Sequence, residues 1–475
     1  MNTSKLDRLL VGLAVVLVSG ILLAACAQKA TPQTPVSEAP AATSIEVQPS
    51  PTSIRPTSAP ESIKLTMWWW GEQNAPGQEG WIKDVIALYE AKNPNVKVEA
   101  VLQGTDETIP AYHAAVAAKS GPDIATLWYG MYMWEDVWAG NVTPISDYVS
   151  QEEMSHWTGR RMNTFDGKVW AVDLNGDSMA IGYNKKLFAE AGLDPEKPPA
   201  TWDEFLAACT ALSKAGITPV AIGTSDGWLG VVLGNYLLYQ TTSDVKGLGQ
   251  AVIGEKSWTD EPYADMWYRI AEMRDEGCVS KDASSLTYFE AQELFRAGKA
   301  AITFPAASSV VSWMREMGQD VVGVMAIPSV TGQPIDWYTT QGMTLFITPW
   351  SPHKEQAADF LKFLHSQEAM KSLYEKLGGM VLPADDRFDP NIITSPTVRL
   401  IWEKQQAGFQ KNISMTDAVI PYAILGDGMM PAISKMFSDN MTPEEAAKMT
   451  EAAAENWRKL SPEMLAMYKQ WLMDQ

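Results

Sequence analysis

The stretch that decides the fold is VWAVDLNGDSMAIGYNKKLFAEAGLDPEKPPATWDEFLAACTALSKAG, residues 169–216. Near its end, Thr201 stands directly before Trp202 and two acidic residues follow. A threonine hydroxyl at this position caps the first turn of a helix, and early acidic side chains complement the helix dipole. The stretch therefore predicts a helix that begins at Trp202.

The sequence on the amino-terminal side of this stretch alternates between strand-like and helix-like patterns. Trp81, Val85, Leu88 and Tyr89 recur at helical spacing, for example, and an Asn-Pro pair follows them. The pattern predicts strands over residues 63–70, 96–102 and 123–128 and helices over residues 80–92 and 109–119. Strands that alternate with helices favour a mainly parallel sheet with helices on both of its faces.

Further motifs lie in order along the chain. They are SGPDI (120–124), YNKKLF (183–188), AGL (191–193), Pro199, TWDEF (201–205), FRAGKAAI (295–302), VGVMAIP (322–328), EQAADFLKFL (355–364), Gly378, Gly379 and Pro383. Each motif alone is weakly specific, but the ordered set from residue 63 to the end resembles bacterial extracellular solute-binding proteins. The match is to the sugar-binding cluster of that family, which includes maltose-binding protein.

The resemblance implies an α/β, periplasmic-binding-protein-like fold of two lobes that are joined by a hinge. Each lobe would be a mainly parallel sheet flanked by helices. Lobe one would hold residues 63–175 and 330–377, and lobe two would hold residues 176–329 and 378–475. The implied function is capture of a mono- or oligosaccharide between the lobes and its delivery to the permease subunits of an ABC transporter. The chain would act as a monomer and would not be an enzyme.

Tryptophan is abundant in this chain, with 19 residues, and its placement predicts where a ligand lies. Trp68, Trp69 and Trp70 end the first predicted strand, and Trp128 and Tyr129 end the third. Ligands of open α/β sheets lie beyond the carboxyl ends of the strands. Strand alternation points Trp69 away from its two neighbours. We therefore expect Trp70, Trp128 and Tyr129 to contact the ligand, with packing inside the protein as the alternative.

Polar and aromatic candidates in the loops complete the predicted binding site. By resemblance to the family, the ligand contacts include Glu72, Gln73, Asp177, Gln341 and Tyr422. Asp226 and Trp228 follow the strand-like run over residues 221–223, and we expect Trp228 to form an aromatic platform there. Trp134 and Trp138 are four residues apart, which favours packing on a helix. The chain also departs from the family: several relatives carry a tryptophan just after the position of Pro305, where this sequence has Ala306, Ala307 and Ser308. Trp313 is the one candidate to replace it from the same predicted helix.

The amino terminus predicts export and anchoring. Lys5 and Arg8 precede an apolar segment of residues 9–25, and the run Leu23-Ala24-Ala25-Cys26 resembles the lipobox of bacterial lipoproteins. We therefore expect a signal peptide over residues 1–25 and a lipid on Cys26, which would hold the protein on the extracytoplasmic face of the cell membrane. The alternatives are an ordinary secretory signal or an uncleaved anchor. Residues 27–62 are rich in Pro, Ser and Thr, which predicts a disordered tether.

Composition narrows the class of partner. The chain carries 37 basic and 57 acidic residues, a net charge of −20, which disfavours nucleic acid. Four histidines and three cysteines without a paired motif give no transition-metal signature, and we expect no cofactor. Cys209 and Cys278 could form a disulfide or remain two buried thiols.

Two other functions fit parts of the sequence. The acidic charge and the many tryptophans would suit the same fold binding a polyamine or another cationic solute. An exported glycoside hydrolase would need two carboxylates across a cleft, and 57 acidic residues could supply such a pair. No nucleotide-binding loop, nucleophile elbow or metal motif supports an enzyme.

Overall fold

The computed structural model describes residues 62–105, 107–279 and 282–475. The predicted signal peptide, Cys26 and nearly all of the tether lie outside these residues. The strands are β1 (Ile63–Trp69), β2 (Val96–Leu102), β3 (Ile124–Trp128), β4 (Thr164–Phe165), β5 (Lys168–Val169), β6 (Val172–Ser178), β7 (Ile181–Asn184), β8 (Thr218–Val220), β9 (Ala300–Thr303), β10 (Val322–Met325) and β11 (Thr340–Ile347).

The helices pack around these strands. They are α1 (Gln78–Lys92), α2 (Thr108–Ala118), α3 (Met131–Trp138), α4 (Gln151–Ser155), α5 (Lys185–Glu190), α6 (Trp202–Lys214), α7 (Trp228–Thr242), α8 (Val245–Ile253), α9 (Glu261–Asp275), α10 (Tyr288–Arg296), α11 (Ala307–Met317), α12 (Lys354–Leu364), α13 (Gln367–Leu377), α14 (Pro396–Lys411), α15 (Thr416–Val419), α16 (Tyr422–Ile424), α17 (Met430–Ser438), α18 (Pro443–Leu460) and α19 (Pro462–Asp474). In the described part of the chain, no helix has the length and apolar character needed to cross a bilayer.

The strands form two main sheets. The first sheet has the order β2-β1-β3-β11-β6, and the second sheet has the order β10-β7-β9-β8. Beside them, β4 and β5 form a short antiparallel hairpin. The chain therefore leaves the first sheet at the end of β6, builds the second sheet, and returns to the first sheet with β11.

The two sheets meet at one place, which we call the junction. Here β6 ends at Ser178, the second sheet begins at Ile181, and Ser178 pairs with Thr340 at the start of β11. The backbone N–H of Met179 donates to the carbonyl of Thr339 at 3.1 Å, and that of Ala180 donates to the carbonyl of Pro305 at 3.0 Å. The hydrogen bonds at the junction thus tie both sheets to the crossing segments.

The directions of the strands correct the prediction of mainly parallel sheets. In the first sheet β1 is parallel to β2 and β3, whereas β11 is antiparallel to β3 and β6. In the second sheet only the β8–β9 pair is parallel. The physical reason is that the chain passes from one sheet to the other at the junction. Because β7 and β11 start there, they run antiparallel to the neighbouring strands that end there.

Local predictions near the amino terminus of the folded part are confirmed. The strand predicted over residues 63–70 is β1, the helix predicted over 80–92 is α1, and α3 carries Trp134 and Trp138 with their rings stacked 6.3 Å apart. The Thr201 cap is present as a capping box, in which Glu204 bonds back to the backbone of Thr201. These features depend on neighbours a few residues apart, which is why the sequence reveals them.

The carboxyl-terminal helices contact both halves of the molecule. The segment after α13 pairs with the first half, through bridges from Leu382 to Gly176 and from Asp385 to Trp157. Farther along the chain, α15 packs against α3 and α7, α18 packs against α9, and α19 packs against α8, α3 and β4. This last part of the chain therefore ties the two sheets together on the side of α3 and α7.

The two cysteines in the described residues form a disulfide and are not two free buried thiols. Cys209 on α6 is joined to Cys278, which follows α9, across a sequence separation of 69 residues. Both residues are fully buried. The bond fixes α6 to the segment that leads from α9 toward the second sheet.

Removal of this disulfide has a measurable cost. We expect the double variant Cys209→Ala, Cys278→Ala to lose about 2–4 kcal/mol of unfolding free energy, because a closed loop of this length restricts the unfolded chain. Urea unfolding of the oxidised protein and of the variant, both without reductant, measures the difference. Equal midpoints would show that the disulfide does not stabilise the native state.

Candidate functional site

The carboxyl ends of strands from both sheets point toward the junction. In the first sheet Trp128, at the end of β3, pairs with Met343 near the start of β11, and β1 ends at the same edge because it is parallel to β3. In the second sheet Thr303, at the end of β9, pairs with Gly182 near the start of β7, and β8 is parallel to β9. The loops that follow these four strands therefore face one region, which we call the cleft. Such an edge is where open α/β sheets bind ligands.

Three aromatic rings form the wall of the cleft on the first sheet. The ring centroids of Trp70 and Trp128 lie 5.5 Å apart at 73°, and those of Trp128 and Tyr132 lie 5.5 Å apart at 63°. All three side chains are partly exposed, whereas Trp69 is buried, as strand alternation predicts. The indole N–H of Trp70 donates to the hydroxyl of Thr105 at 2.9 Å. The wall therefore offers partly exposed rings whose positions are fixed by their neighbours.

Two carboxylates that we expected to contact ligand accept hydrogen bonds from backbone N–H groups at the starts of helices. Glu72 accepts hydrogen bonds from the backbone N–H groups of Gly77 at 2.7 Å and Glu79 at 2.6 Å, at the start of α1. Asp226 accepts from the backbone N–H groups of Trp228 at 3.3 Å and Tyr288 at 3.0 Å. Both side chains thus stabilise helix starts beside the cleft, and their contact with ligand stays a prediction.

The second sheet contributes a second aromatic group. Asp226 holds the starts of α7 and α10 together, because its carboxylate accepts from the backbone N–H groups of both Trp228 and Tyr288. The hydroxyl of Tyr288 donates to the carbonyl of Phe304 at 2.6 Å, and the rings of Tyr288 and Phe289 lie 5.1 Å apart. Phe289 is 53% exposed. Tyr288 and Phe289, which the sequence did not indicate, are therefore two further aromatic candidates on this side.

Trp313 does not replace the tryptophan that relatives carry after Pro305. Its side chain is 7% exposed and its ring lies 5.4 Å from that of Phe295. It packs α11 against α10. The hydroxyl of Tyr288 donates to the carbonyl of Phe304, the residue directly before Pro305.

Asp177 lies at the junction, as predicted, and is the last residue but one of β6. One of its oxygens accepts from the backbone N–H groups of Ser178 at 2.8 Å and Ser308 at 3.2 Å. Its neighbour across the strands is Gln341, the other residue predicted there. Burial raises the pKa of Asp177 to about 6, and the hydrogen bonds from Ser308, Ser178 and Gln341 only partly oppose this rise.

The carboxyl-terminal segment places an unexpected carboxylate at the cleft. Asp417, on α15, accepts from the hydroxyl of Tyr132 at 3.3 Å through Oδ2, and its Oδ1 is buried. Burial raises the pKa of Asp417 to about 6, which hydrogen bonds from its own backbone N–H, from Tyr132 and from the backbone N–H of Ala418 only partly oppose. Tyr422 is 55% exposed and close enough to Tyr132 to raise its pKa, after the larger effects of burial and Asp417.

The structure does not bring Tyr129 to the cleft. Its side chain is 3% exposed, and its hydroxyl donates to the carbonyl of Thr340 and accepts from the hydroxyl of Ser414 at 2.7 Å. Gln73, in contrast, is exposed and accepts from the Thr105 hydroxyl at 3.2 Å, next to Trp70. The candidate site therefore keeps Trp70, Gln73, Trp128, Asp177, Trp228, Gln341 and Tyr422 and gains Tyr132, Tyr288, Phe289 and Asp417.

The raised pKa of Asp417 predicts how stability depends on pH. A carboxylate whose folded pKa exceeds its unfolded value of about 4 opposes folding when ionised, so its cost is absent at low pH, grows between about pH 4 and about pH 6, and is complete above that range. We expect Asp417→Asn to raise the unfolding free energy by about 1–3 kcal/mol at pH 7.5 and to have little effect at pH 4. Urea unfolding at both values measures this, and an equal effect at the two values would contradict it.

Comparison with known proteins identifies the family. Residues 74–371 match the model of the family described as bacterial extracellular solute-binding protein. The multiple sugar-binding protein of Streptococcus mutans is 23% identical over 332 residues, which cover 67% of this chain and 76% of that protein. The sn-glycerol-3-phosphate-binding periplasmic protein UgpB of Rhizobium meliloti is 24% identical over 332 residues, which cover 66% and 74%.

Solved structures share the fold. A chitin oligosaccharide binding protein superposes with a TM-score of 0.70 at 24% identity, covering 83% of this chain and 98% of the other. The likeness confirms the predicted two-lobed fold with helices that flank the sheets. Together with the match to the family model, it shows that this chain belongs to the bacterial extracellular solute-binding proteins.

Proposed function

We propose that the cleft binds a mono- or oligosaccharide and that the chain delivers it to the permease subunits of an ABC transporter. The main observation behind the proposal is that aromatic side chains and the carboxylates of Asp177 and Asp417 lie together at the junction. Aromatic faces suit the apolar faces of sugar rings, and carboxylate and amide groups at the ring edge accept or donate hydrogen bonds. Trp70, Trp128 and Trp228 would supply the faces, and Asp177 and Asp417 the acceptors.

The names of the relatives support a carbohydrate ligand. The Streptococcus mutans relative is named for binding multiple sugars, and a solved neighbour is named for binding chitin oligosaccharides. Neither identity is high enough to transfer a particular sugar, so the proposal is limited to the class of ligand.

Calorimetric titration tests the proposal. The purified protein is titrated with maltotriose, xylotriose, N,N′-diacetylchitobiose, glucose and spermidine. We expect at least one saccharide to bind with a dissociation constant at or below about 10 μM, and binding of none of the saccharides contradicts the proposal. Addition of salt up to about 0.5 M should leave the affinity for a neutral sugar nearly unchanged, because no charge is paired.

A cationic solute is the second candidate. Asp177 and Asp417 form no ion pair with a basic residue in the described part of the chain, and aromatic rings lie beside Asp417. Carboxylates and ring faces together bind ammonium groups. Salt-sensitive binding of spermidine without binding of any saccharide would favour this candidate over the carbohydrate.

We propose a division into lobes that follows the two sheets. Lobe one would hold residues 63–178, which extends the predicted boundary at 175 to the end of β6, and residues 330–377. It would also hold residues 378–411, since Leu382, Asp385 and α14 contact strands and loops of that half. Lobe two would hold residues 179–329 and 412–475. Ligand contacts that exist only when the lobes close would stabilise the closed state.

We propose that the protein works outside the cytoplasm and is anchored through a lipid on Cys26. The buried disulfide supports folding in an oxidising compartment, where such bonds persist. In cell fractionation, the full-length protein should stay with the membranes and Cys26→Ala should appear in the soluble extracytoplasmic fraction. Membrane retention of Cys26→Ala would contradict lipid anchoring at this residue.

We propose that the chain itself is not an enzyme. Its relatives are named as binding proteins, and hydrolysis of ATP would belong to separate transporter subunits. Release of nitrophenol from aryl glycosides by the purified protein, lost in Asp177→Asn or Asp417→Asn, would overturn this.

A further inference from the structure

Asp417 is held rigidly between the two halves of the cleft. Helix α15 packs against α3 of the first half and α7 of the second. The backbone N–H of Thr416 donates to the side chain of Asn235 on α7 at 2.6 Å. On the other side, Gly130 approaches so closely that a Cβ atom there would lie 2.0 Å from the carbonyl oxygen of Ala418. The position of the carboxylate is therefore set by both halves.

The carboxylate of Asp417 has no counter-ion. Within the described residues, the ion pairs of the protein do not include Asp417, and the groups that face it are the phenols of Tyr129, Tyr132 and Tyr239. Phenols stay uncharged in the physiological range. Asp177 also lacks a basic partner in the described residues. The polar side of the cleft is thus negative and not neutralised.

We propose that Asp417 selects ligands by charge: the cleft admits neutral and cationic solutes and rejects anionic ones such as sugar phosphates and uronic acids. The inference rests on the proposed function of the cleft and narrows its class of ligand. An anionic group near Asp417 would meet a negative charge without a counter-ion in a partly desolvated site, whereas an ammonium group would be attracted to it and a neutral hydroxyl would not be repelled. The glycerol-phosphate-binding relative therefore gives no guide to this ligand, despite its 24% identity.

The test compares the binding of neutral, cationic and anionic ligands by three proteins. The wild type, Asp417→Asn and the control Asp427→Asn are titrated calorimetrically with N,N′-diacetylchitobiose (neutral), chitobiose in its amino form (cationic), and sn-glycerol 3-phosphate and glucuronic acid (anionic). Asp427 is exposed and lies ten residues farther along the same segment. Its replacement by asparagine removes the same charge as Asp417→Asn does, but leaves the hydrogen bond between Tyr132 and Asp417 in place. Unfolding midpoints confirm that each variant is folded.

We expect the wild type and Asp427→Asn to bind the cationic form at least about 10-fold more tightly than the neutral form and to bind neither anion. Asp417→Asn should remove this preference, weaken neutral binding about 10-fold or more, and admit an anion. As a second readout, wild-type affinity for the neutral form should fall as pH drops from 8 to 5, because protonated Asp417 accepts hydrogen bonds poorly; Asp417→Asn should reduce this dependence.

The outcomes separate the two proposals. Wild-type binding of an anion as tight as that of the neutral saccharide, or an unchanged preference in Asp417→Asn, overturns selection by charge and leaves the carbohydrate function standing. Binding of the cationic form alone, lost in Asp417→Asn, supports selection by charge and leaves the carbohydrate function standing, because this form is itself a disaccharide. Binding of no probe by the wild type overturns both.

Discussion

Arg387→Ala is expected to lower the unfolding free energy by about 3–5 kcal/mol at pH 7. Arg387 donates to Asp385 at 2.7 Å and to Glu153 at 2.5 Å. Asp385 is fully buried and also lies 3.2 Å from Nδ1 of the buried His365. Removal of the guanidinium leaves the Asp385 carboxylate buried with too few donors, and such an uncompensated charge is costly.

The same group of charges predicts a dependence on pH. Burial alone would raise the pKa of Asp385, but hydrogen bonds from Arg387 and His365 outweigh it and hold the pKa at about 2. The stability that Asp385 contributes is therefore present above its unfolded pKa of about 4 and is lost as pH falls toward 2. The deficit of Arg387→Ala should shrink across this range.

Arg296→Ala is the matched control for this prediction. Arg296 pairs with Glu316 at 2.8 Å, but the two side chains are 46% and 42% exposed. Exposed pairs contribute little, so this variant should lose less than about 1 kcal/mol. Urea unfolding of the wild type and both variants measures the difference, and equal losses for the two arginines would show that burial of Asp385 does not determine the cost.

Trp128→Ala is expected to raise the dissociation constant of the bound saccharide at least about 100-fold. Trp128 is the middle ring of its wall, 5.5 Å from both Trp70 and Tyr132, so its loss removes one platform and the support of two others. Central aromatic residues commonly contribute about 2 kcal/mol or more to binding, and 1.4 kcal/mol corresponds to a factor of ten.

Trp350→Ala controls for the general loss of a tryptophan. Trp350 follows the far end of β11, at the edge of the first sheet opposite the junction, and its indole N–H donates to the carbonyl of Pro122 at 3.0 Å. The variant should lose some stability and keep the wild-type affinity in calorimetry. Wild-type affinity in Trp128→Ala would remove this wall from the site.

Features that depend on short sequence distances could be predicted. The alternation of Trp68, Trp69 and Trp70 and the rule for carboxyl ends of strands place Trp70 and Trp128 at one edge, where their rings meet. The Thr201 cap needs only Glu204, three residues away. The motif order that pointed to the family also depends on the sequence alone.

Features that depend on distant partners could not be predicted. Tyr129 looks like its neighbour Trp128, but its hydroxyl is bonded by Ser414, 285 residues away. The position of Asp417 beside the cleft is visible only from its hydrogen bond with Tyr132, which lies 285 residues earlier in the chain. The capping role of Asp226 depends on Tyr288, which becomes its neighbour only when α7 and α10 pack together.

Hydrogen–deuterium exchange with and without the bound saccharide shows which segments of the chain contact the ligand. If the cleft at the junction is the ligand site, the sugar should slow exchange in the segments around residues 70–73, 128–132, 226–228, 288–289 and 415–422. The groove on α18 beside Asp427 and Glu445 should be unchanged. Protection at that groove, with none in the segments of the cleft, would show that the cleft at the junction is not the ligand site.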